Sequence, residues 1–225
     1  MLVLEIIENK RKSPKYERSC YNVIMSLTLS ESKEKILNVA LGLSSKFGLV
    51  NLSIGELAKV VGMSKSGLFG HFKSKEALQK MVLDFAAHHF INTVVKPALK
   101  KERGIPRLEA IVENWITWSL EAHLGGCPIV TAAIEFDDRP GVLRDHVQSL
   151  KTEMIKGFEK TTKIAVIEGH LDNNLDCEQF VFELYSLMIG FHIYGRLMNE
   201  EMAKEKFKKS FKGLISRHEA KGWAT

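Results

Sequence analysis

The residues with the clearest chemical pattern are Ser64-Lys65-Ser66-Gly67, at the start of a short helical stretch. Small polar side chains at a helix N-terminus can come close to base edges in a major groove. The amides exposed there, at the positive end of the helix dipole, favour a phosphate. Lys65 is the obvious charged contact. The competing reading is an ordinary helical hairpin whose serines only cap. Eleven residues upstream, Ser53-Ile54-Gly55-Glu56 has the spacing of a capping box. Its hydroxyl is expected to take the Glu56 amide while the Glu56 carboxylate reaches back.

Patterns for covalent or metal chemistry are weak elsewhere. There is no Gly-rich phosphate loop, no nucleophile elbow and no HExxH motif. His88 and His89 are adjacent, so a helix turns them to different sides and they make a poor metal pair. Asp137-Asp138 precedes Arg139-Pro140-Gly141 and reads as a charged turn between helices. Cys127 precedes Pro128 at a helix start, where a thiol either acquires a lowered pKa and redox sensitivity or serves as a cap or core residue. The three cysteines, Cys20, Cys127 and Cys177, are too few and too scattered for a disulfide scaffold or a zinc finger. No enzyme activity, no cofactor and no metal are expected.

The elements that must position residues 64–67 are legible around them. In Leu57-Ala58-Lys59-Val60-Val61-Gly62-Met63-Ser64-Lys65-Ser66-Gly67-Leu68, Ala58 is small where a second helix must cross. Gly62, four residues on, supplies a positive φ for a tight turn. Leu57, Val61, Met63 and Leu68 are expected to face a shared core, giving a helix-turn-helix. Before it, a helix from Ser32 carries Ile36, Leu37, Ala40, Leu43 and Phe47 on one face and ends at Gly48. Ser74 caps a fourth helix that runs towards Pro97. Further helices are expected at about 104–123, 127–137, 140–168, 176–198 and 201–218. No alternating run is long enough for a sheet, so the fold class is all-α.

Positive charge gathers near this motif. Residues 26–80 carry eight lysines against four glutamates, whereas 81–225 carry nineteen basic against twenty acidic side chains. A net charge of +5 with its excess at the N-terminal end suits a polyanion partner. Residues 1–29, with Lys10-Arg11-Lys12-Ser13-Pro14-Lys15, form an N-terminal extension, either a basic arm that touches DNA or a disordered or mis-assigned leader. Met25 offers an internal start. No apolar run spans a membrane and no secretory pattern precedes the chain, so a cytoplasmic location is the default.

Residues 32–80 resemble the DNA-binding domain of the TetR/AcrR family of one-component bacterial repressors. The matching features are Ala40…Phe47-Gly48, Ser53-Ile54…Leu57-Ala58, Gly62-Met63-Ser64-Lys65, and Leu68-Phe69…His71-Phe72…Ser74-Lys75…Leu78. The resemblance implies a three-helix DNA-binding domain at 30–76, followed by an all-helical ligand-binding and dimerisation domain at 77–225. It places Ser53 and Lys75 on phosphates and Ser64, Lys65, Ser66 and Gly67 at the groove-facing start of the recognition helix. It carries His71 to the DNA backbone and Phe72 into the small core. Phe69 stands where the family usually has tyrosine, so one phosphate hydrogen bond is lost. Gly55 and Gly70 stand where larger residues are common.

The resemblance also implies a small-molecule pocket around 104–136, with Trp115, Trp118, His123 and Glu135 as candidates and Tyr185 and His192 from a later helix. Each is alternatively a core residue. Two amphipathic stripes, Phe180-Leu184-Leu187-Met188-Phe191 and Phe207-Phe211-Leu214-Ile215, are implied to pair with their copies in a homodimer. The alternative is that they complete a monomer core. The implied function is a repressor of operator double-stranded DNA released by an unknown effector. The alternative is an architectural DNA-binding protein without an inducer.

Overall fold

Ser30 caps the first helix, its hydroxyl accepting the Lys33 amide at 3.4 Å. The computed structural model describes residues 29–120, 126–199 and 201–223. In chain order the helices are α1 (Glu31–Phe47), α2 (Ile54–Val60), α3 (Lys65–Phe72) and α4 (Lys75–Phe90). A π-helical turn (Ile91–Val95) and a short α5 (Lys96–Ala98) follow. Then come α6 (Ile105–Leu120), α7 (Pro128–Glu135), α8 (Val142–Ile167), α9 (Cys177–Arg196) and α10 (Ala203–Ser216). Among the described residues the one extended pairing is an isolated bridge of Leu171 with Glu219. The all-α expectation holds, with later helices within a few residues of the expected ranges. No helix among them is long and apolar enough to cross a membrane.

The chain packs as two units. Of the described residues, the first takes those up to Ile91 together with 126–152, and the second takes 92–120, 153–199 and 201–223. The 30–76 module expected from the sequence lies inside the first.

In the first unit, α1 buries Ile36, Leu37, Ala40 and Leu41 against α2, α4 and α7. Phe47, expected on that face, is instead 65% exposed. The helix ends there, Gly48 turns the chain at φ 87°, and Leu49 and Leu52 are buried in its place. Side chains from Glu135 and Gln79 tie the module to its neighbours, and a further long-range polar pair joins α4 to α8. Glu135 accepts the amides of Leu49 (2.7 Å) and Val50 (2.8 Å). Gln79 Nε2 donates to the Leu49 carbonyl at 2.6 Å. Buried His146 and Asp84 meet at 2.7 Å.

The sequence predicts a fourth helix that runs towards Pro97. The α-helix ends at Phe90 and continues as a π turn, a local widening that inserts a residue before Pro97 opens α5. In the second unit α9 packs on α10 and α5 on α6. Phe180, Leu184, Met188 and Phe191 of α9 and Phe207, Phe211, Leu214 and Ile215 of α10 are all buried. The C-terminal tail returns along residues 170–172: Asp172 donates to the His218 carbonyl (2.8 Å) and Ala220 to that of His170 (3.1 Å).

Candidate nucleic-acid interface

The helix-turn-helix has the geometry its residues predict. Gly62 takes φ 69° with open space where a Cβ would stand, so the backbone conformation alone calls for glycine. The turn closes through the Met63 amide on the Ala58 carbonyl at 2.9 Å. Leu57, Ala58, Leu68 and Phe72 are buried. Val61 and Met63, expected in the core, are only half-buried and border a surface groove with Ile36 and Val39. The turn lifts them off the α2–α3 contact, which Leu57 and Leu68 fill.

Three serines cap three successive helices. Ser53 Oγ accepts the Glu56 amide at 3.2 Å and donates to Glu56 Oε2 at 3.2 Å. The expected capping box is therefore altered: the carboxylate returns to the hydroxyl and not to the Ser53 amide. Ser64 Oγ accepts the Gly67 amide at 3.0 Å and lies 3.2 Å from Ser66 Oγ. Ser74 Oγ accepts the Ala77 amide at 3.0 Å, which fixes Lys75 as the first residue of α4.

With Leu68 and Phe72 inward, α3 leaves Lys65, Ser66, Gly67 and Phe69 exposed. His71 is half-buried, its ring 6.2 Å from that of Phe72, and Lys33 Nζ lies over the Phe72 ring, 5.7 Å from its centroid. The first turn of α3 holds no acidic residue, so nothing local opposes an anion. Lys73 was missed in the sequence. It ends α3 at φ 60°, ψ −36°, a conformation that a lysine rarely takes, with its side chain exposed beside Lys75.

The pocket candidates separate. His123 lies outside the described residues. Glu135 is in the first unit, where both its oxygens already accept backbone amides, so it holds the α1–α2 turn. That contact links residues 85 and 86 positions apart, and no local pattern signals it. Trp115, Trp118, Tyr185 and His192 are in the second unit. Trp115 stands edge-on to Phe191 (5.6 Å between centroids) and tilted to Phe207 (6.2 Å). Its indole Nε1 is buried with no hydrogen-bond partner among the described residues. No described cluster of His, Cys, Asp or Glu could hold a metal ion.

Of the two stripes, Phe180, Leu184, Met188 and Phe191 and Phe207, Phe211, Leu214 and Ile215 fill the second unit's own core, the alternative the sequence leaves open, and Leu187 is half-buried. A period of about 3.6 residues puts a different row on the opposite side of α9: Phe182, Ser186, Ile189, Ile193 and Leu197. Phe182 and Leu197 there are 68% and 79% exposed.

Two family models match the chain. "Bacterial regulatory proteins, tetR family" matches residues 36–81, and "Tetracyclin repressor-like, C-terminal domain" matches 104–211. The HTH-type transcriptional regulator RutR of Escherichia coli O157:H7 is 28% identical over 159 residues, covering 64% of this chain and 69% of its own length. A TetR transcriptional regulator from Chloroflexus aurantiacus superposes with a TM-score of 0.73 at 21% identity, covering 84% of this chain and 97% of that one. A transcriptional regulator from Saccharomonospora viridis, solved in complex with choline, superposes with a TM-score of 0.73 at 18% identity, covering 86% of this chain and 100% of that one. Helix-turn-helix geometry, two matched models and these relatives agree: the chain belongs to the TetR family of DNA-binding transcriptional regulators.

Proposed function

We propose that this protein is a homodimeric repressor that binds a two-fold operator and leaves it when a small molecule enters the second unit. The carrying observation is the serine-capped start of α3, which holds Lys65, Ser66 and Gly67 outward with no acidic residue in its first turn. Ser53, Ser64, His71 and Lys75 serve the phosphate backbone around it. Two such helices in a dimer enter successive major grooves about 34–36 Å apart. The apolar row opposite the core of α9 supports isologous pairing of two copies.

The effector reading rests on Trp115. A buried indole N–H without an acceptor among the described residues, walled by Phe191 and Phe207, is a place where a ligand supplies the missing acceptor. Trp118, Tyr185 and His192 are the neighbouring candidates in the same unit. A structural relative holds choline. Coupling of about 1–3 kcal/mol between effector and DNA changes operator affinity about 5–150-fold.

The test is binding to labelled DNA from upstream of this protein's own gene at several salt concentrations. Lys75→Ala is expected to weaken all duplexes alike and lower the salt slope by about one unit. Lys65→Ala also reduces discrimination between sequences if it reads a base. Failure to bind any DNA, even at low salt, sinks the proposal. A broad ligand panel that leaves operator affinity unchanged removes the inducer and favours an architectural DNA-binding protein.

A further inference from the structure

The subunit makes no use of the outer face of α3. Leu68 and Phe72 fix its inward direction. At about 100° per residue, Ser66 and Gly70 fall opposite them, with Phe69 on one flank and Gly67 on the other. Gly70 has nothing within 4 Å of where a Cβ would stand, and its backbone does not take a positive φ. Glycine is among the least favourable residues in a helix interior. Neither crowding nor backbone strain within the subunit explains it. Phe69 is 52% exposed next to this bare strip. Lys65 and Lys73 are exposed at the two ends of the helix.

We propose that α3 lays the Ser66–Gly70 strip against base edges and that Phe69 reads the C5-methyl of a thymine in each half-site. This rests on the DNA-binding reading above. The methyl is the apolar group on the major-groove edge of the base pairs, and a phenyl ring has no donor or acceptor with which to read anything else there. The missing side chain at Gly70 lets the helix come close enough for the ring to reach it. Lys73, exposed where α3 ends, holds a phosphate on that side.

The experiment uses the wild-type protein and a duplex that it selects from a random pool. Each thymine is replaced in turn by deoxyuridine, which removes the methyl and nothing else. The expected result is one thymine per half-site where the replacement weakens wild-type binding about fourfold, as for one buried methyl-sized group. Phe69→Ala then binds the thymine and deoxyuridine duplexes equally. Gly70→Ala raises the melting temperature of the free protein yet weakens the selected duplex about tenfold or more. The inference is overturned if no thymine is methyl-sensitive, if the sensitivity survives Phe69→Ala, or if Gly70→Ala binds as tightly as wild type. Selection that enriches no sequence overturns it as well, with DNA binding intact. Wild-type protein that binds no duplex at low salt overturns the DNA-binding reading itself.

Discussion

Glu135 on α7 accepts the backbone amide of Leu49 at 2.7 Å, and its other oxygen accepts that of Val50 at 2.8 Å. From the far side Gln79 takes the Leu49 carbonyl at 2.6 Å. The turn between the first two helices of the DNA-binding module is thus held by side chains of α4 and α7. Gly48 completes the arrangement: its φ is 87°, and a Cβ there would stand 2.7 Å from Glu135 Oε1.

Removing the carboxylate strands two part-buried amides. Glu135→Ala is expected to lower unfolding free energy by about 2–3 kcal/mol, and Glu135→Gln by about half that, since one acceptor oxygen remains. Urea denaturation gives the first number. Amide hydrogen exchange at Leu49 and Val50 should speed up in both variants. Unchanged exchange at these two amides would show that the clasp contributes nothing.

A second glycine is pinned by its surroundings. Gly104 has φ 85°, and a Cβ there would collide with the imidazole of His170. That ring accepts the Ile105 amide at 3.1 Å and stacks on Trp223 at 4.9 Å. Gly104→Ala therefore strains the backbone and displaces the ring together. A loss of about 2–4 kcal/mol is expected, accompanied by a change in Trp223 fluorescence. Wild-type stability and fluorescence would contradict this account.

What the sequence disclosed here and what it hid have separate physical causes. Helix starts at Ser53, Ser64 and Ser74 and the turn at Gly62 were legible, because a cap or a positive φ is decided within four residues. The Glu135 clasp and the Asp84–His146 pair join residues too far apart for any local period to report. The α9 stripe is legible as apolar, but whether a second copy or the subunit's own core covers it is not, and its own core covers Phe180, Leu184, Met188 and Phe191. A hydrophobic period tells which residues share a face and is silent on what covers that face. Phe47 fits its helical period and still points to solvent, because the helix stops beneath it.

Lys151, in the part of α8 that belongs to the first unit, has its ammonium pushed down from about 10.5 to about 8. Burial is the main cause, and the nearby Cys127 thiol works the other way. Between those two pH values the unfolded chain binds a proton that the folded chain does not, so this group makes stability rise with pH across that window. Below about pH 8 both states are charged and the burial cost is present in full. Lys151→Met should thus be more stable than wild type at pH 7, by up to roughly 3 kcal/mol. Its advantage should shrink as pH rises towards 10. Urea titrations at pH 7 and 9.5 test this, and a difference independent of pH would rule it out.

Phe182 and Leu197 are 68% and 79% exposed, lie on the side of α9 away from its core, and do nothing for the isolated subunit. Charge placed there leaves subunit folding intact but must be desolvated when two copies meet. The double variant Phe182→Glu, Leu197→Glu should raise the dimer dissociation constant at least about 100-fold, or about 3 kcal/mol. Its melting temperature at high dilution should stay near that of wild-type monomer. Sedimentation equilibrium reads the first effect and calorimetry the second. A monomer has one recognition helix for each duplex, so operator affinity should fall along with dimerisation while the salt dependence per half-site stays the same. If the variant still sediments as a tight dimer, this row of α9 is not the interface. The subunits would then have to meet through another face, with a different spacing of their recognition helices.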